Sequence, residues 1–131
     1  MKTKTIHQSI WLPAKPEEVY NAFLDEKQHS KFTGAKAKIS PKVGGKFSLW
    51  DGTIYGVTLK LEKNKKIVQS WRSSDWEDED HFSEVQFEFS PEKNGTKLVL
   101  IHKKVPVENS EDISDGWKQF YWKPLKEYFK K

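Results

Sequence analysis

Two alternating runs of residues joined by an Asn-Gly pair constrain the fold of this chain more than any other feature. Residues 83–89, "SEVQFEF", put apolar side chains at odd positions, and residues 96–103, "TKLVLIHK", put them mainly at even positions. Alternation with a period of two is typical of strands with one buried face, and Asn-Gly is the strongest short signal for a hairpin. We therefore predict two neighbouring antiparallel strands with a two-residue turn at 94–95. In that register His102 pairs with Phe87.

The glycines within residues 43–56, "VGGKFSLWDGTIYG", could bind a phosphate group or could shape a sheet. The stretch contains neither G-x-x-x-x-G-K-[ST] nor G-x-G-x-x-G, and no helix start follows it to present amides to an anion. We therefore expect structural glycines. Gly44 and Gly45 are expected at a bulge or bend where the sheet curls.

The parity of the apolar side chains predicts the length of the turn in this second hairpin. They fall at odd positions on both sides of the turn: Phe47, Leu49, Tyr55, Val57, Leu59 and Leu61. Paired residues of an antiparallel hairpin lie on the same face, so an inner face shared by all of them requires an odd number of loop residues. Residues 51–53 are such a loop, with Gly52 in the left-handed conformation.

A strand and two short helices are predicted before these hairpins. Residues 4–12 alternate as a strand does, and Pro16 is placed to be the first residue of a helix. The apolar stripe of that helix is Val19, Tyr20, Phe23 and Leu24. A second short helix is predicted over residues 25–32 and ends by Gly34. Residues 35–40, "AKAKIS", alternate small apolar residues with lysines, as expected for a protected edge strand.

The C-terminal part of the chain predicts one long helix rich in aromatic residues. Asp112 or Ser114 can cap it, and apolar residues at helical spacing continue to about Lys130. Pro124 lies inside this pattern and is expected to kink the helix near residues 120–121.

One further strand, residues 66–73, completes the predicted order, although the sequence leaves its inward face open. The order is one strand, two short helices, about six strands in a meander and one long helix. This predicts a single domain over residues 1–131 of the α+β class, with an antiparallel sheet.

Composition excludes several classes of function. The chain has 131 residues and a formal charge of +4, but Arg72 is its only arginine and its lysines are scattered. Arginine is the usual bidentate hydrogen-bond donor to phosphates and guanine edges, so we do not expect nucleic-acid binding. No apolar run is long enough for a membrane span. With no cysteine, no disulfide or thiolate site is available, and the chain is predicted to be cytoplasmic.

The polar residues do not form a recognisable catalytic, cofactor or metal motif. Four histidines, His7, His29, His81 and His102, lack metal-ligand spacing. His102 alone falls on an apolar face, where it is either a satisfied core residue or a polar group that contacts a ligand. Residues 75–80 hold five carboxylates without the glycine that a calcium loop needs. They form either a solvated hairpin tip or a docking patch for a basic partner.

The number of rings in the last helix predicts a cavity. Six aromatic residues there exceed what one apolar stripe can bury against a curved sheet. We expect a pocket of a few hundred Å³ between the helix and the inner face of the sheet that holds Phe87, Leu100 and His102. The candidate ligand-binding residues are Phe47, Leu49, Tyr55, Val57, Trp71, Phe87, Leu100, His102, Trp117 and Tyr121.

Several spaced motifs resemble one known family. They are Phe32-Thr33, Gly44-Gly45-x-Phe47, Asp51-Gly52-x-x-x-Gly56, Trp71-Arg72, His81-Phe82 and Gly116-Trp117. Together they cover almost the whole chain and resemble the C-terminal domain of the activators of the ninety-kilodalton heat-shock chaperone (Hsp90) ATPase. That domain belongs to the helix-grip (SRPBCC or START-like) superfamily.

The resemblance implies a sheet of about seven strands curled around the long C-terminal helix. It implies a non-catalytic binding module whose partner is an Hsp90-type chaperone, although most of the stimulating contacts in eukaryotic members lie in a separate N-terminal domain. Other relatives are cavity proteins. The alternative is therefore a carrier, or less readily an enzyme, for a small apolar or aromatic ligand between sheet and helix.

Overall fold

The computed structural model describes residues 2–77 and 81–130, and they form an antiparallel sheet with helices on its concave side. The strands are β1 (Thr3–Leu12), β2 (Lys38–Ile39), β3 (Lys46–Leu49), β4 (Ile54–Glu62), β5 (Lys66–Ser73), β6 (Ser83–Glu92) and β7 (Gly95–Pro106). The first two helices are α1 (Pro16–Leu24) and α2 (Glu26–Thr33). The C-terminal helix comprises α3 (Val107–Trp117), a π-helical turn (Lys118–Trp122) and α4 (Lys123–Tyr128). The sheet order is β1-β7-β6-β5-β4-β3-β2, which confirms the predicted α+β helix-grip fold.

The two short helices begin and end where local signals predicted. Pro16 opens α1, where its missing N–H costs no hydrogen bond. Asp25 accepts a hydrogen bond from the Lys27 amide at the start of α2, and Gly34 ends that helix with φ of 77°. The predicted stripe of α1 is buried, so this helix packs its apolar side on the sheet.

The C-terminal helix begins earlier than predicted, at Val107 directly after β7 rather than at Asp112 or Ser114. A π-helical turn over Lys118–Trp122 lies where the kink was predicted. Pro124 has no amide proton to donate to the carbonyl one turn earlier, which favours a local change of helical pitch there. None of the helices in the described residues is long and apolar enough to cross a bilayer.

The β6–β7 hairpin has the predicted faces but a different register. Its two-residue turn is Lys93-Asn94, with φ of 48° and 61°, so that His102 pairs with Val85 rather than with Phe87. Gly95 is instead the first residue of β7. A Cβ on Gly95 would clash with the Leu12 carbonyl and lie 2.8 Å from the Trp11 ring, so the close approach of β1 requires a glycine in this strand.

The β3–β4 turn contradicts the predicted odd length. Leu49 pairs with Ile54 and Phe47 pairs with Gly56, which leaves a four-residue loop. Tyr55 and Val57 therefore lie on the outer face, opposite to Phe47, and their assignment to the inner face was wrong. The left-handed conformation predicted for Gly52 is confirmed, with φ of 93°.

A β-bulge in β4 explains why parity misled this assignment. The pairing shifts between Thr58–Gln69 and Lys60–Val68, so one extra residue of β4 is accommodated there. Leu59, at the bulge, is 48% exposed, whereas Leu61 beyond it packs against the core. The odd positions of β4 thus do not share one face.

The remaining strands resolve two further expectations. Of residues 35–40 only Lys38–Ile39 forms a strand, at the edge of the sheet. Gly44 lies in the tight turn that follows, with φ of 83°, as expected for a bend. The inward face of β5, which the sequence left open, carries Ile67, Gln69 and Trp71.

Candidate functional site

The space between the inner face of the sheet and the C-terminal helix is filled by aromatic rings. Phe23 lies on Phe87 with ring centroids 4.4 Å apart, and Trp117 contacts both Phe87, at 5.6 Å, and Tyr121, at 4.8 Å. The gap that these rings leave has a volume of about 10 Å³. That is at most the room of one water molecule, so no ligand fits there.

The predicted interior pocket is therefore wrong in position. Leu100 and His102 are completely buried. Phe47, Leu49 and Phe87 are buried in the same core. The prediction counted rings but not the helix α1, whose Phe23 occupies the concave side as well. Tight packing there removes the interior as a ligand site.

His102 is held by a complete set of hydrogen bonds. The Trp117 indole N–H can only donate, so Nδ1 of His102 accepts this bond, at 3.1 Å. The ring proton is then on Nε2, which donates to the Ser83 hydroxyl at 2.7 Å. Ser83 in turn donates to the Trp71 carbonyl at 2.7 Å. Burial lowers the pKa of His102 to about 3, so this side chain is a neutral core residue.

A second buried histidine, which the sequence did not single out, has the opposite tautomer. Nδ1 of His29 donates to the Phe23 carbonyl at 3.1 Å, and its Nε2 accepts from the Tyr121 hydroxyl at 2.9 Å. Burial lowers the pKa of His29 to about 4 and raises the pKa of Tyr121 above its ordinary value. The hydrogen bond between His29 and Tyr121 connects α2 to the C-terminal helix.

A groove with room for a small ligand lies at one end of the sheet, beside α3. We call it the aromatic groove, and its volume is about 190 Å³. It is lined by Trp50, Ile54, Trp71, Ser73, Asp75, Trp76, Asn109, Asp112, Ile113, Gly116, Trp117, Phe120 and Tyr121. Of the sequence-predicted candidates it brings together Trp71, Trp117 and Tyr121.

Sequence reasoning missed the outer wall of the aromatic groove. Trp50 and Phe120 contact each other there, with centroids 5.5 Å apart, and Phe120 is 52% exposed. Phe120 was visible in the sequence as a helical aromatic, but Trp50 lay directly before the turn predicted at residues 51–53, and Trp76 lay in the acidic loop. The exposure of Phe120 next to the groove is a signal that only the structure provides.

Arg72 holds the loop that supplies Trp76. Its Nη2 donates to the Trp76 carbonyl at 3.0 Å, and its Nε donates to the Tyr55 hydroxyl at 3.0 Å. Because Arg72 is itself buried, these bonds form in a setting where they are strong. The ring of Trp76 is thereby placed 5.8 Å from that of Trp71. Of the acidic loop, Asp78, Glu79 and Asp80 lie outside the described residues.

A second surface feature is an apolar patch on the outer face of the sheet, which we call the outer patch. It consists of Tyr55, Val57 and Phe82, with Lys38 and Lys46 beside them. The rings of Tyr55 and Phe82 meet edge to face at 5.9 Å, and Phe82 is 39% exposed. The two strand residues that the sequence placed in the core thus form part of an exposed surface.

No group of three or more metal-ligating side chains occurs within residues 2–77 and 81–130. The four histidines are also far from forming a metal site, and His7 is exposed on β1. His29 and His102 are bonded inside the core, and Nε2 of His81 lies 2.7 Å from the Lys104 carbonyl.

Comparison with known proteins places the chain in a family. The family model described as Activator of Hsp90 ATPase homolog 1-like protein matches residues 13–130. The human activator of 90 kDa heat shock protein ATPase homolog 1 is 32% identical over 114 residues, which are 87% of this chain and 33% of that protein. The mouse homolog 2 is 31% identical over 95% of this chain and 37% of its own length. The chain thus spans little more than a third of these curated relatives.

Solved structures agree with the fold described above. The crystal structure of an HSP90 activator from Plasmodium falciparum is 33% identical, with a TM-score of 0.83, and covers 98% of this chain and 96% of its own. The solution structure of the Aha1 dimer from Colwellia psychrerythraea has a TM-score of 0.81 at 18% identity, which shows a shared fold alone.

Proposed function

This chain belongs to the Activator of Hsp90 ATPase homolog 1-like family, and from that premise we propose that it is a non-catalytic binding module whose partner is an Hsp90-type chaperone. The proposed setting is the cytoplasm, which suits a chain without cysteine.

The filled interior is the observation that carries this proposal. The gap beneath the C-terminal helix is about 10 Å³, and the buried His102 and His29 are neutral and bonded on both ring nitrogens. Neither histidine is available as an acid or a base for a substrate. Recognition by the surface of the domain is the function that this arrangement supports best.

We assign the chaperone contact to the outer patch. Apolar side chains exposed together on a sheet face are typical of interaction surfaces, because burying them against a partner is favourable. Lys38 and Lys46 flank Phe82 and Tyr55, so the patch complements an apolar segment of the chaperone that also carries carboxylates. Because salt screens the attraction between these lysines and the carboxylates, we expect the chain to bind the chaperone more weakly at high salt.

The test is calorimetric titration of the chain into a purified Hsp90-type chaperone, with and without nucleotide, followed by an ATPase assay. We expect saturable binding that Phe82→Ser weakens about tenfold or more, since exposed aromatic anchors dominate interface energies. Val107→Ser is the matched control, because Val107 is 45% exposed but lies at the start of α3, outside the outer patch. No binding in any nucleotide state would contradict the proposal, and equal losses in the two variants would contradict the assigned surface.

The aromatic groove favours a second candidate function, binding of a small ligand. Its volume of about 190 Å³ and its wall of tryptophan rings suit a compact apolar or aromatic group. This candidate function corresponds to the carrier that the sequence analysis gave as the alternative, but with the ligand at the end of the sheet instead of in the interior. Native mass spectrometry of freshly purified protein tests it by the presence or absence of a co-purifying small molecule.

A further inference from the structure

We propose that the aromatic groove binds a small organic cation of the alkylated ammonium class. This inference rests on the second candidate function, ligand binding in the groove, and is independent of the chaperone contact at the outer patch. Three features of the groove support it: its rings, its charges and its size.

Six aromatic rings line the groove, and their arrangement suits a cation. Trp71 packs with Trp76 and Trp117 at centroid distances of 5.8 and 5.9 Å, and Trp50 and Phe120, whose centroids are 5.5 Å apart, line the same groove. An ammonium group within about 6 Å of several ring faces is attracted by each of them, and tryptophan gives the strongest attraction. Such cages select alkylated ammonium groups, whose methyl groups also gain from apolar contact.

The charges at the groove have one sign. Asp75 and Asp112 lie among its lining residues, and these include no lysine, arginine or histidine in the described part of the chain. This contrasts with the whole chain, which has 23 lysine and arginine residues against 19 acidic ones. The Ser73 hydroxyl hydrogen-bonds to Oδ1 of Asp75, which orients that carboxylate. A cation is attracted by both carboxylates, whereas an anion is repelled.

The size of the groove restricts the cation to a compact one. Its volume of about 190 Å³ is below the range of about 300–1,000 Å³ that is usual for sites of larger ligands. A trimethylammonium head group matches such a space better than an acyl chain or a nucleotide does.

The experiment titrates the purified chain with choline, tetramethylammonium and the neutral isostere 3,3-dimethylbutan-1-ol at constant ionic strength. Tryptophan fluorescence and the indole N–H signals in ¹H–¹⁵N spectra report binding, since four tryptophans line the groove. We expect choline to bind about tenfold more tightly than the isostere, which lacks only the charge. Glycerophosphocholine is a separate arm: tighter binding than that of free choline would identify a lipid head group as the source.

Two variants locate the site. Asp112→Asn and Phe120→Ala are both exposed changes on the C-terminal helix and should each weaken choline binding about threefold to tenfold. Glu111→Gln is the matched control for charge and Phe82→Ala for ring removal, because neither residue lines the groove. Equal losses in variants and controls would overturn the assignment to this groove.

The remaining outcomes separate this inference from the function on which it rests. If the neutral isostere binds as tightly as choline, the cation class is wrong, while ligand binding in the groove stands. If no probe binds, the cation class is wrong, and native mass spectrometry then decides whether the groove binds a ligand of another class. The chaperone proposal is unaffected in either case, because its test uses the outer patch.

Discussion

The indole Nε1 of Trp117 lies 3.1 Å from Nδ1 of His102, and this hydrogen bond determines where the imidazole carries its proton. It joins the C-terminal helix to the centre of β7, and the chain of bonds continues through Ser83 to the backbone of β5. A polar residue on an apolar face is thus satisfied entirely from within the fold. Of the two interpretations that the sequence left open for His102, the core residue is the one that the structure supports.

Replacing Trp117 by phenylalanine should destabilise the fold. The ring is largely retained, but Nδ1 of His102 loses its donor in a fully buried position. Leaving a buried acceptor unsatisfied costs about 1–3 kcal/mol. Urea unfolding at pH 7.5 measures this change. An unchanged midpoint would mean that the hydrogen bond contributes nothing to stability.

Acid should destabilise the protein below about pH 6.5. His102 and His29 have folded-state pKa values of about 3 and about 4, whereas an unfolded histidine titrates near 6.5. As the pH falls below 6.5 the unfolded chain binds protons that the folded chain does not, so the free energy of unfolding decreases until about pH 4 to 3. At pH 5 the loss is roughly 2 kcal/mol for each histidine.

Two measurements check this pH dependence. Urea midpoints at pH 7.5 and pH 5 give the change in stability, and His29→Gln should remove about half of the slope that the two histidines cause. NMR signals of the imidazole carbons should report both side chains as neutral at pH 5. A histidine signal for either residue that titrates near pH 6.5 in the folded protein would contradict the assignment.

Gly56 should tolerate a side chain less well than Gly52, although only Gly52 has a positive φ. A Cβ on Gly56 would clash with the Ser70 carbonyl and lie 3.0 Å from Cζ of Phe47, whereas around Gly52 the nearest atom is 3.9 Å away. We expect Gly52→Val to cost about 1–2 kcal/mol through backbone strain. Gly56→Ala should cost more than that, because backbone must move. Denaturant unfolding of both variants compares them, and the reverse order would contradict the close approach of the β5 backbone to Gly56.

Leu100→Trp should destabilise the fold instead of filling a ligand pocket. Leu100 is completely buried, and the gap beneath the C-terminal helix is only about 10 Å³. Overpacking a filled core costs typically about 1–3 kcal/mol, and a change of this size should reach the upper end. Thermal unfolding measures the loss, with Leu59→Trp as the control at an exposed bulge. A stable Leu100→Trp protein would show that the interior has more room than this packing allows.

Local patterns in the chain were enough to predict the elements, their order and most of their faces. Alternation identified β6 and β7, and Pro16 and Gly34 bounded the short helices, because these signals act within one or two turns of the chain. The spacing of rings at the C-terminus likewise predicted a long helix, and Pro124 predicted its distortion. From this order alone the antiparallel α+β class followed.

Tertiary structure decided the register of both hairpins. Alternation with a period of two indicates which residues of a strand share a face. It does not fix the pairing between strands, because a shift of the pairing by two residues leaves every side chain on the same face. A single bulge moves the side chains that follow it to the opposite face. In β7 the approach of Trp11 requires glycine at position 95, and in β4 the ring of Phe47 lies over Gly56. Both contacts join residues whose proximity no local pattern specifies.

Tertiary structure also decided where a ligand has room. The sequence counted the rings of the C-terminal helix correctly, but whether rings enclose a cavity depends on the volume that all packed elements leave. Phe23 from α1 closes the interior, while Trp50 and Trp76 from two loops build the aromatic groove at its end. Packing is set by distances between elements that are remote in sequence, so the site could be recognised only in three dimensions.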